Sequence, residues 1–265
     1  MKSVFIVYNS YKDTSVKLYN DIKNKLKKLN IREENKENYK NADFMIVIGG
    51  DGTLLRASKY LVDENIPVIA INQGSLGFLT DIKTEETFEM INLFLENRYN
   101  YEERNFLELN VNNKIFYALN DIVISKNGIL SRIKKIDLFS NGIYVNTYRA
   151  DGIIFATPTG STAYSLSSGG PIVHPKLKVT IITPIAPHTL SARPIIIDGD
   201  DIITFKVLEN TDDLSITIDG QESINFTEKN MSIKLSKKKI ILVKPENRDY
   251  YSILRTKLKW GDKLC

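Results

Sequence analysis

Cysteine is nearly absent from this chain, because Cys265 is the only one among 265 residues. A single cysteine cannot form an intrachain disulfide bond, and chains without disulfides are typical of reducing compartments. Histidine is scarce as well, since His174 and His188 are the only two. These three residues lack the spacing of metal ligands and are too few for a zinc site. The sequence therefore predicts a cytoplasmic protein with no metal held by the protein alone.

Long apolar runs are also missing. No stretch reaches the roughly 20 apolar residues that span a bilayer. The first apolar run, residues 4–8, is shorter than the core of a signal peptide. The formal net charge of +4 is too small to indicate nucleic acid, although it suits a protein that holds phosphorylated small molecules. We predict neither a membrane nor a nucleic acid as partner.

The first third of the chain alternates short apolar runs with helical patterns. Runs with the length of buried strands occupy residues 4–8, 44–48 and 67–71. Helical spacing is found from Asp13, a candidate N-cap, from Leu54 to Val62, and from Glu85 to Leu95 with Phe88, Ile91 and Leu95 on one face. Strands that alternate with helices predict an α/β domain with a mostly parallel sheet, which we assign to residues 1–98.

After about Tyr99 the apolar period changes to two. Asn141-Gly142 separates two alternating runs and is a strong hairpin signal, and Asp219-Gly220 marks a second turn. Several short strands at this spacing predict a β-sandwich-like domain over residues 99–244. Residues 245–265 form a tail with a helical pattern, whose packing partner the sequence does not reveal.

The first candidate site is Gly49-Gly50-Asp51-Gly52-Thr53, where a buried strand gives way to a helix. In open α/β sheets, ligands bind at the carboxyl ends of strands, and glycines let the backbone approach a phosphate. A carboxylate in that position could accept a proton from a hydroxyl that attacks phosphorus. Alternatively, Asp51-Gly52 only turns the chain and caps a helix.

Two further stretches carry candidate ligand-binding groups. The run from Asp151 to Ser165 is an apolar strand followed by a loop rich in threonine and serine, with a short helix expected from Ser161 or Thr162. Its hydroxyl and N–H groups could bind phosphates or ribose, or the loop could be an ordinary capped turn. Asn120-Asp121, after an apolar run, could bind a ribose diol or an adenine edge, although a local Asx turn is the commoner role.

Taken together and in this order, these motifs resemble the signature of the NAD kinase family. The resemblance also includes Asn72-Gln73-Gly74-Ser75-Leu76-Gly77-Phe78 and the stretch from Pro187 to Pro194, and it extends from about Ala42 to Gln221. The glycine loop alone is shared with diacylglycerol and sphingosine kinases, whereas the Thr-Pro-Thr-Gly-Ser-Thr-Ala-Tyr-Ser run is far more specific.

The resemblance implies roles for individual residues. Asp51 would be the catalytic base, the loop from Gly50 to Gly52 would cradle phosphates, and Phe78 would lie against adenine. Asn120 and Asp121 would bind the substrate. Further binding positions would be Arg56, Arg132, Arg149, Asp151, Thr159, Thr162, Ala163, Tyr164, Ser165, Leu166, Ser167 and Gln221.

The implied activity is ATP-dependent phosphorylation of the 2′-hydroxyl on the adenosine ribose of NAD. A divalent cation such as Mg²⁺ would be held mainly by the ATP phosphates. The family also implies a homodimer or homotetramer. Two alternatives remain at this point: a lipid kinase of the diacylglycerol or sphingosine type, for which no interfacial amphipathic helix is visible, and an inactive module that senses NAD or NADP.

Overall fold

The computed structural model describes residues 2–111, 113–127, 133–189, 191–208, 211–225, 231–246 and 248–260. Its helices are α1 (Asp13–Lys28), α2 (Asp51–Ser58), α3 (Thr87–Leu95), α4 (Tyr164–Ser167) and α5 (Tyr250–Leu258). Its strands are β1 (Ser3–Tyr8), β2 (Arg32–Glu34), β3 (Phe44–Ile48), β4 (Pro67–Asn72), β5 (Ile82–Lys83), β6 (Asn100–Val111), β7 (Lys114–Ala118), β8 (Asp121–Lys126), β9 (Lys134–Ser140), β10 (Ile143–Ala150), β11 (Gly152–Ala156), β12 (Val179–Ile185), β13 (Ile195–Asp198), β14 (Ile203–Val207), β15 (Leu214–Ile218), β16 (Glu222–Asn225) and β17 (Met231–Lys244). The chain divides into two compact units, residues 1–103 with 240–265, and residues 104–239.

The first unit is built on a parallel sheet. Its strands lie in the order β17, β4, β3, β1, β2, and β5 pairs with β4. Every residue of β3 is buried, as expected for a continuous apolar strand in a parallel sheet. Apolar residues of α1 and α3 share one core with β1, β3 and β4. The C-terminal helix α5 also belongs to this unit, and the side chain of Asp249 caps its first turn.

The second unit consists of two mostly antiparallel sheets. One contains β10, β9, β14 and the first part of β17, and the other has the order β13, β12, β11, β8, β15, β16. A single core holds residues from both sheets, with the rings of Phe155 and Phe205 5.6 Å apart. The two sheets therefore pack against each other. The predicted fold class, an α/β part followed by a β-sandwich-like part, is confirmed.

Several predicted helix details were wrong. Lys12, not Asp13, is the N-cap of α1, and no side chain caps that helix. Helix α2 begins at Asp51 rather than Leu54 and ends at Ser58. In α3 the buried apolar residues are Met90, Ile91 and Phe94, whereas Phe88 is 38% exposed. This helix is apolar on most of its circumference, so periodicity alone could not identify its buried face.

Candidate active site

Asp51 lies where β3 passes into α2. The strand ends at Ile48, Gly50 is the N-cap of the helix, and Asp51 occupies the first helical position without capping the helix itself. The first turn of a helix has N–H groups without intrahelical partners and a partial positive charge, both of which attract anions. The junction therefore places a carboxylate next to groups that suit a phosphate.

The Asp51 carboxylate is held by the segment Gly77–Thr80. Its Oδ2 accepts a hydrogen bond from the Phe78 N–H at 2.9 Å. Its Oδ1 accepts bonds from the N–H groups of Leu79 at 3.2 Å and Thr80 at 3.0 Å, and from Thr80 Oγ1 at 2.9 Å. A Cβ atom on Gly77 would overlap Asp51 Oδ1 and lie 2.5 Å from Thr80 Oγ1. Only glycine at position 77 allows this close approach.

The segment that holds Asp51 is itself anchored. Asn72 Nδ2 donates to Thr80 O at 3.1 Å and to Thr80 Oγ1 at 2.9 Å. At the other end, Gln73 Nε2 donates to the Thr14 carbonyl at 3.0 Å, and Gln73 Oε1 accepts from Ser15 Oγ. These bonds close the loop after β4 and keep Phe78 half-buried beside the carboxylate.

In the second unit, Asn120 lies between β7 and β8, and Asp121 is the first residue of β8. The N–H groups of Leu119, Asn120 and Asp121 all donate to the Asp219 carboxylate, at 2.8, 2.7 and 3.1 Å. Asp219 belongs to the turn between β15 and β16, and its φ of +51° is one that aspartate tolerates better than most residues. Instead of forming a local Asx turn, the segment is bound by a carboxylate distant in sequence.

Both acids of this pair have raised pKa values. Burial, together with the smaller effect of the neighbouring Asp219 charge, raises the pKa of Asp121 to about 7. Burial also raises the pKa of Asp219 to about 6, although the three backbone N–H groups oppose that change. Perturbed carboxylates are common at functional sites, which makes this pair a candidate for function.

The Thr/Ser-rich loop after β11 is attached to the same segment. Thr157 Oγ1 donates to the Leu119 carbonyl at 2.6 Å, and the Thr157 N–H donates to the Asn120 carbonyl at 2.9 Å. A Cβ atom on Gly160 would overlap the Asn120 carbonyl oxygen. The predicted helix start at Ser161 or Thr162 was wrong, because a 3-10 turn, Thr159–Thr162, precedes α4.

The predicted residues of this loop differ in exposure. Thr159 and Ser165 are buried, and Ser165 Oγ lies 2.9 Å from Thr183 Oγ1. Thr162, Ala163 and Leu166 are half-buried, whereas Tyr164 and Ser167 are exposed. The exposed and half-buried members are therefore the ones whose side chains a ligand could reach.

Other predicted residues lie apart from these groups. Asp151 precedes β11 and pairs with Lys126 at 2.7 Å, at the opposite end of the strand from Thr157. Arg149 and Gln221 are exposed in the second unit, and Arg56 is exposed in the last turn of α2. Arg132 lies outside the described residues.

Sequence reasoning missed five residues that position the candidates: Gly77, Thr80, Thr157, Gly160 and Asp219. Gly77, Thr157 and Gly160 stand inside the motifs quoted above, and Asp219 was interpreted only as a turn residue. The signal that could have identified Asp219 is its Asp-Gly turn directly before Gln221.

Two other kinds of site are absent from the described residues. No group of three or more histidine, cysteine, aspartate or glutamate side chains there could hold a metal ion. None of the helices in the described part of the chain is both long and apolar enough to cross a membrane.

Comparison with solved structures defines the class of protein first. A structure of an NAD kinase from Archaeoglobus fulgidus in complex with ATP aligns with a TM-score of 0.82 and 28% identity, covering 97% of this chain and 99% of that one. Yeast NADH kinase complexed with NADH aligns with a TM-score of 0.90 over 100% of this chain and 89% of that one, at 22% identity, so it shows the fold alone. The fold is thus that of a kinase.

Sequence comparison identifies the particular family. The ATP-NAD kinase N-terminal domain matches residues 4–99, and the ATP-NAD kinase C-terminal domain matches residues 119–244. An NAD kinase of Fusobacterium nucleatum is 40% identical over the full length of both chains. An NAD kinase of Caldanaerobacter subterraneus is 45% identical over 84% of this chain and 80% of its own. The chain belongs to the ATP-NAD kinase family.

Proposed function

We propose that this enzyme transfers the γ-phosphate of ATP to the 2′-hydroxyl on the adenosine ribose of NAD, giving NADP. The observation that carries the proposal is the Asp51 carboxylate, held at the N-terminus of α2 by three consecutive N–H groups. The relatives are NAD kinases, which supports the choice of NAD as substrate, and the archaeal NAD kinase structure is a complex with ATP, which supports ATP as donor.

Asp51 acts as the general base through its Oδ2 atom. Three hydrogen bonds from the described residues reach Oδ1, and one reaches Oδ2. Because each carboxylate oxygen has two lone pairs, Oδ2 has acceptor capacity left for a hydroxyl. The 2′-hydroxyl gives its proton to Oδ2 as its oxygen bonds to the γ-phosphorus and the bond to the leaving ADP oxygen breaks. Positioning and electrostatics supply most of the rate gain.

The first turn of α2 supplies the phosphate contacts. The N–H groups of Gly50, Asp51 and Gly52 stand at the helix N-terminus, and a Cβ on Gly50 or Gly52 would meet nothing within 4 Å. A divalent cation, Mg²⁺ most simply, enters with ATP as part of that substrate and is held mainly by its phosphates.

The residues that bind NAD are proposed for each unit by itself. In the first unit, Phe78 is the residue that lies against adenine. In the second unit, Asn120 and Asp121 bind a ribose together with the reachable residues of the loop, which are Thr162, Ala163, Tyr164, Leu166 and Ser167. Asp151, Arg149 and Gln221 contact a more distant part of the dinucleotide, which fits the position of Asp151 at the far end of β11.

A single assay separates this proposal from its alternatives. The protein is incubated with ATP, Mg²⁺ and either NAD or diacylglycerol, and NADP and phospholipid are both measured. NADP formation alone is the expected result. Phospholipid formation would identify a lipid kinase, a reading that the matching family domains do not favour, and binding of NAD without turnover would identify an inactive sensor.

The cellular setting is also proposed. We infer a cytoplasmic location, which the single cysteine of the chain supports. We also infer a homodimer or homotetramer, because β10 is an edge strand with two exposed apolar side chains, Ile143 and Tyr144.

A further inference from the structure

The main chain of Leu119 and Asn120 is fully engaged by two residues. Both N–H groups donate to Asp219. The Leu119 carbonyl accepts from Thr157 Oγ1, and the Asn120 carbonyl accepts from the Thr157 N–H. The Asp219 N–H returns a bond to the Asp121 carbonyl at 2.9 Å. These bonds hold the segment from opposite sides and determine where the side chains of Asn120 and Asp121 stand.

Asp219 is suited to this role as a carboxylate. Three consecutive N–H groups form a concave site that attracts an anion. The Asp219 carboxylate occupies this site: its Oδ2 accepts a hydrogen bond from the Leu119 N–H, and its Oδ1 accepts from the N–H groups of Asn120 and Asp121. Because the protein supplies the anion itself, a ligand phosphate cannot occupy these N–H groups, and a ligand meets the side chains instead.

We propose that Asp219 and Thr157 are positioning residues for the dinucleotide substrate: they hold the Leu119–Asn120–Asp121 segment in its binding arrangement and keep its N–H groups closed to phosphate. This inference rests on the proposed function, in which Asn120 and Asp121 bind NAD. Neither positioning residue contacts the reacting atoms.

The test uses Asp219→Asn, because asparagine also tolerates a positive φ. The amide keeps one oxygen but places an NH₂ donor against one of the three N–H donors. We expect the KM for NAD to rise at least tenfold, with kcat reduced less than threefold and the KM for ATP within twofold. This split follows from the loss of an interaction that binds ground state and transition state alike. A merely structural defect would change the apparent affinities for both substrates.

Asp201→Asn is the matched control. The Asp201 carboxylate also binds neighbouring chain in the second unit, through Asn141 Nδ2 at 2.7 Å and Ser140 Oγ, but it does not contact the 119–121 segment. Its KM for NAD is expected to stay within twofold of the natural protein.

Thr157→Val keeps the inference testable if Asp219→Asn does not fold. Valine preserves the size of threonine but loses the bond that the hydroxyl donates to the Leu119 carbonyl and the bond that it accepts from the Gly160 N–H. We expect the same selective rise in the KM for NAD. Thr157→Ser keeps the hydroxyl and should restore the natural value. A KM for NAD within twofold of the natural value in both Asp219→Asn and Thr157→Val would overturn the inference.

Asn120→Ala distinguishes that failure from failure of the proposed site. If Asn120→Ala raises the KM for NAD and the positioning variants do not, the positioning role is wrong and the binding site stands. If Asn120→Ala leaves the KM for NAD unchanged, the proposed binding site is wrong, and the positioning inference falls with it.

Discussion

At the scale of single residues, Asp51 carries two tasks in one side chain. Its carboxylate holds the segment Gly77–Thr80 through four hydrogen bonds, and the proposal also makes it the general base. The sequence suggested a simple choice between base and helix cap. Because Gly50 is the N-cap, the alternative to a base is a loop anchor, for which asparagine is a poor substitute.

Asp51→Asn should therefore lose both turnover and stability. We expect kcat to fall by roughly 10²–10⁴-fold, the usual contribution of a general base. The melting temperature should fall as well, because the amide NH₂ opposes a backbone N–H. The measurements are the rate of NADP formation and a thermal melt. Binding of NAD should weaken much less.

Thr80→Val provides the control for the stability component. It removes the bond from Thr80 Oγ1 to Asp51 Oδ1 but leaves the carboxylate and its three backbone donors. Its melting temperature should fall while kcat drops less than tenfold. A stable Asp51→Asn protein that retains most of its turnover would contradict the assignment of Asp51 as base.

Arg56→Ala serves as a contrast to Asp51→Asn. It should raise the KM for substrate by a larger factor than it lowers kcat.

Gly77 gives a second way to disturb Asp51 without changing it. In Gly77→Ala the new methyl group would overlap Asp51 Oδ1 and lie 2.8 Å from its Cγ. The carboxylate or the segment must move, and we expect kcat to fall at least ~10²-fold, as for a displaced base. Gly74→Ala is the matched control, since its nearest neighbour, Asn72 Oδ1, would be 3.8 Å away. Equal turnover in the two variants would count against a close fit around Asp51.

The acid pair Asp121–Asp219 predicts a pH dependence of stability. In the folded protein the pKa values are about 7 and about 6, both above the ordinary value of 3.8. Between about pH 4 and pH 7 the folded state therefore binds more protons than the unfolded state, so the pair's contribution to stability falls as the pH rises.

Asp121→Asn should reduce this pH dependence. One pKa unit corresponds to about 1.4 kcal/mol, and 1 kcal/mol shifts the melting temperature of a domain this size by about 2–4 °C. We expect the change in melting temperature between pH 5 and pH 8 to differ from that of the natural protein by several degrees, with the variant favoured at pH 8. Thermal melts across this range measure it, and parallel curves for the two proteins would refute a raised pKa at Asp121.

At the scale of elements, the strands were predicted better than the helices. Strands β1, β3 and β4 of the parallel sheet correspond to the three apolar runs of the sequence, whereas the polar strand β2 was not predicted. The Asn141-Gly142 hairpin has positive φ at both turn residues, as its sequence requires. Helix bounds depend on contacts distant in sequence. Helix α2 begins at Asp51, whose carboxylate accepts hydrogen bonds from the N–H groups of residues 78–80, and no local sequence pattern displays these contacts.

The candidate site shows the same division. Motif order was enough to select Asp51, Asn120 and the Thr/Ser-rich loop from Thr159 onward as candidates. Three of the residues that hold them were missed for physical reasons of two kinds. Asp219 binds main-chain N–H groups about a hundred positions away, and Gly77 and Gly160 matter for the space they leave. Main-chain bonds of this kind leave no side-chain pattern in a single sequence.

Gly160 tests how tightly the 3-10 turn Thr159–Thr162 is joined to Asn120, the residue directly before β8. A methyl group at this position would overlap the Asn120 carbonyl oxygen and lie 2.5 Å from its carbonyl carbon. Backbone atoms cannot rotate away as a flexible side chain can, so Gly160→Ala should separate the 3-10 turn from the start of β8. We expect a lower melting temperature and a KM for NAD raised at least tenfold. A variant with the natural values of both would show that the junction is loose.

At the scale of the whole molecule, the exposed edge strands predict self-association. The second unit has β10 and β13 at the ends of its described sheet orders, and an unpaired edge is a template for pairing with another chain. Ile143 is 73% exposed and Tyr144 55% exposed on β10, while Ile196 is 47% exposed on β13. A two-fold contact through such an edge buries these side chains and completes the hydrogen bonding of the strand.

Light scattering at micromolar concentration should therefore report a particle of two or four times the chain mass of 30.2 kDa. Ile143→Lys places a charge on the most exposed apolar position of β10 and should shift the particle toward the single-chain mass. Because the Ile143 side chain is exposed in the single chain, the melting temperature of the Ile143→Lys protein at high dilution should differ little from that of the natural protein. Lys114→Glu, at an exposed end of β7 in the same unit, is a matched surface change that should leave the assembly intact. A mass of 30.2 kDa at every concentration would exclude the oligomer, and an oligomer unaffected by Ile143→Lys would place the contact at a surface other than β10.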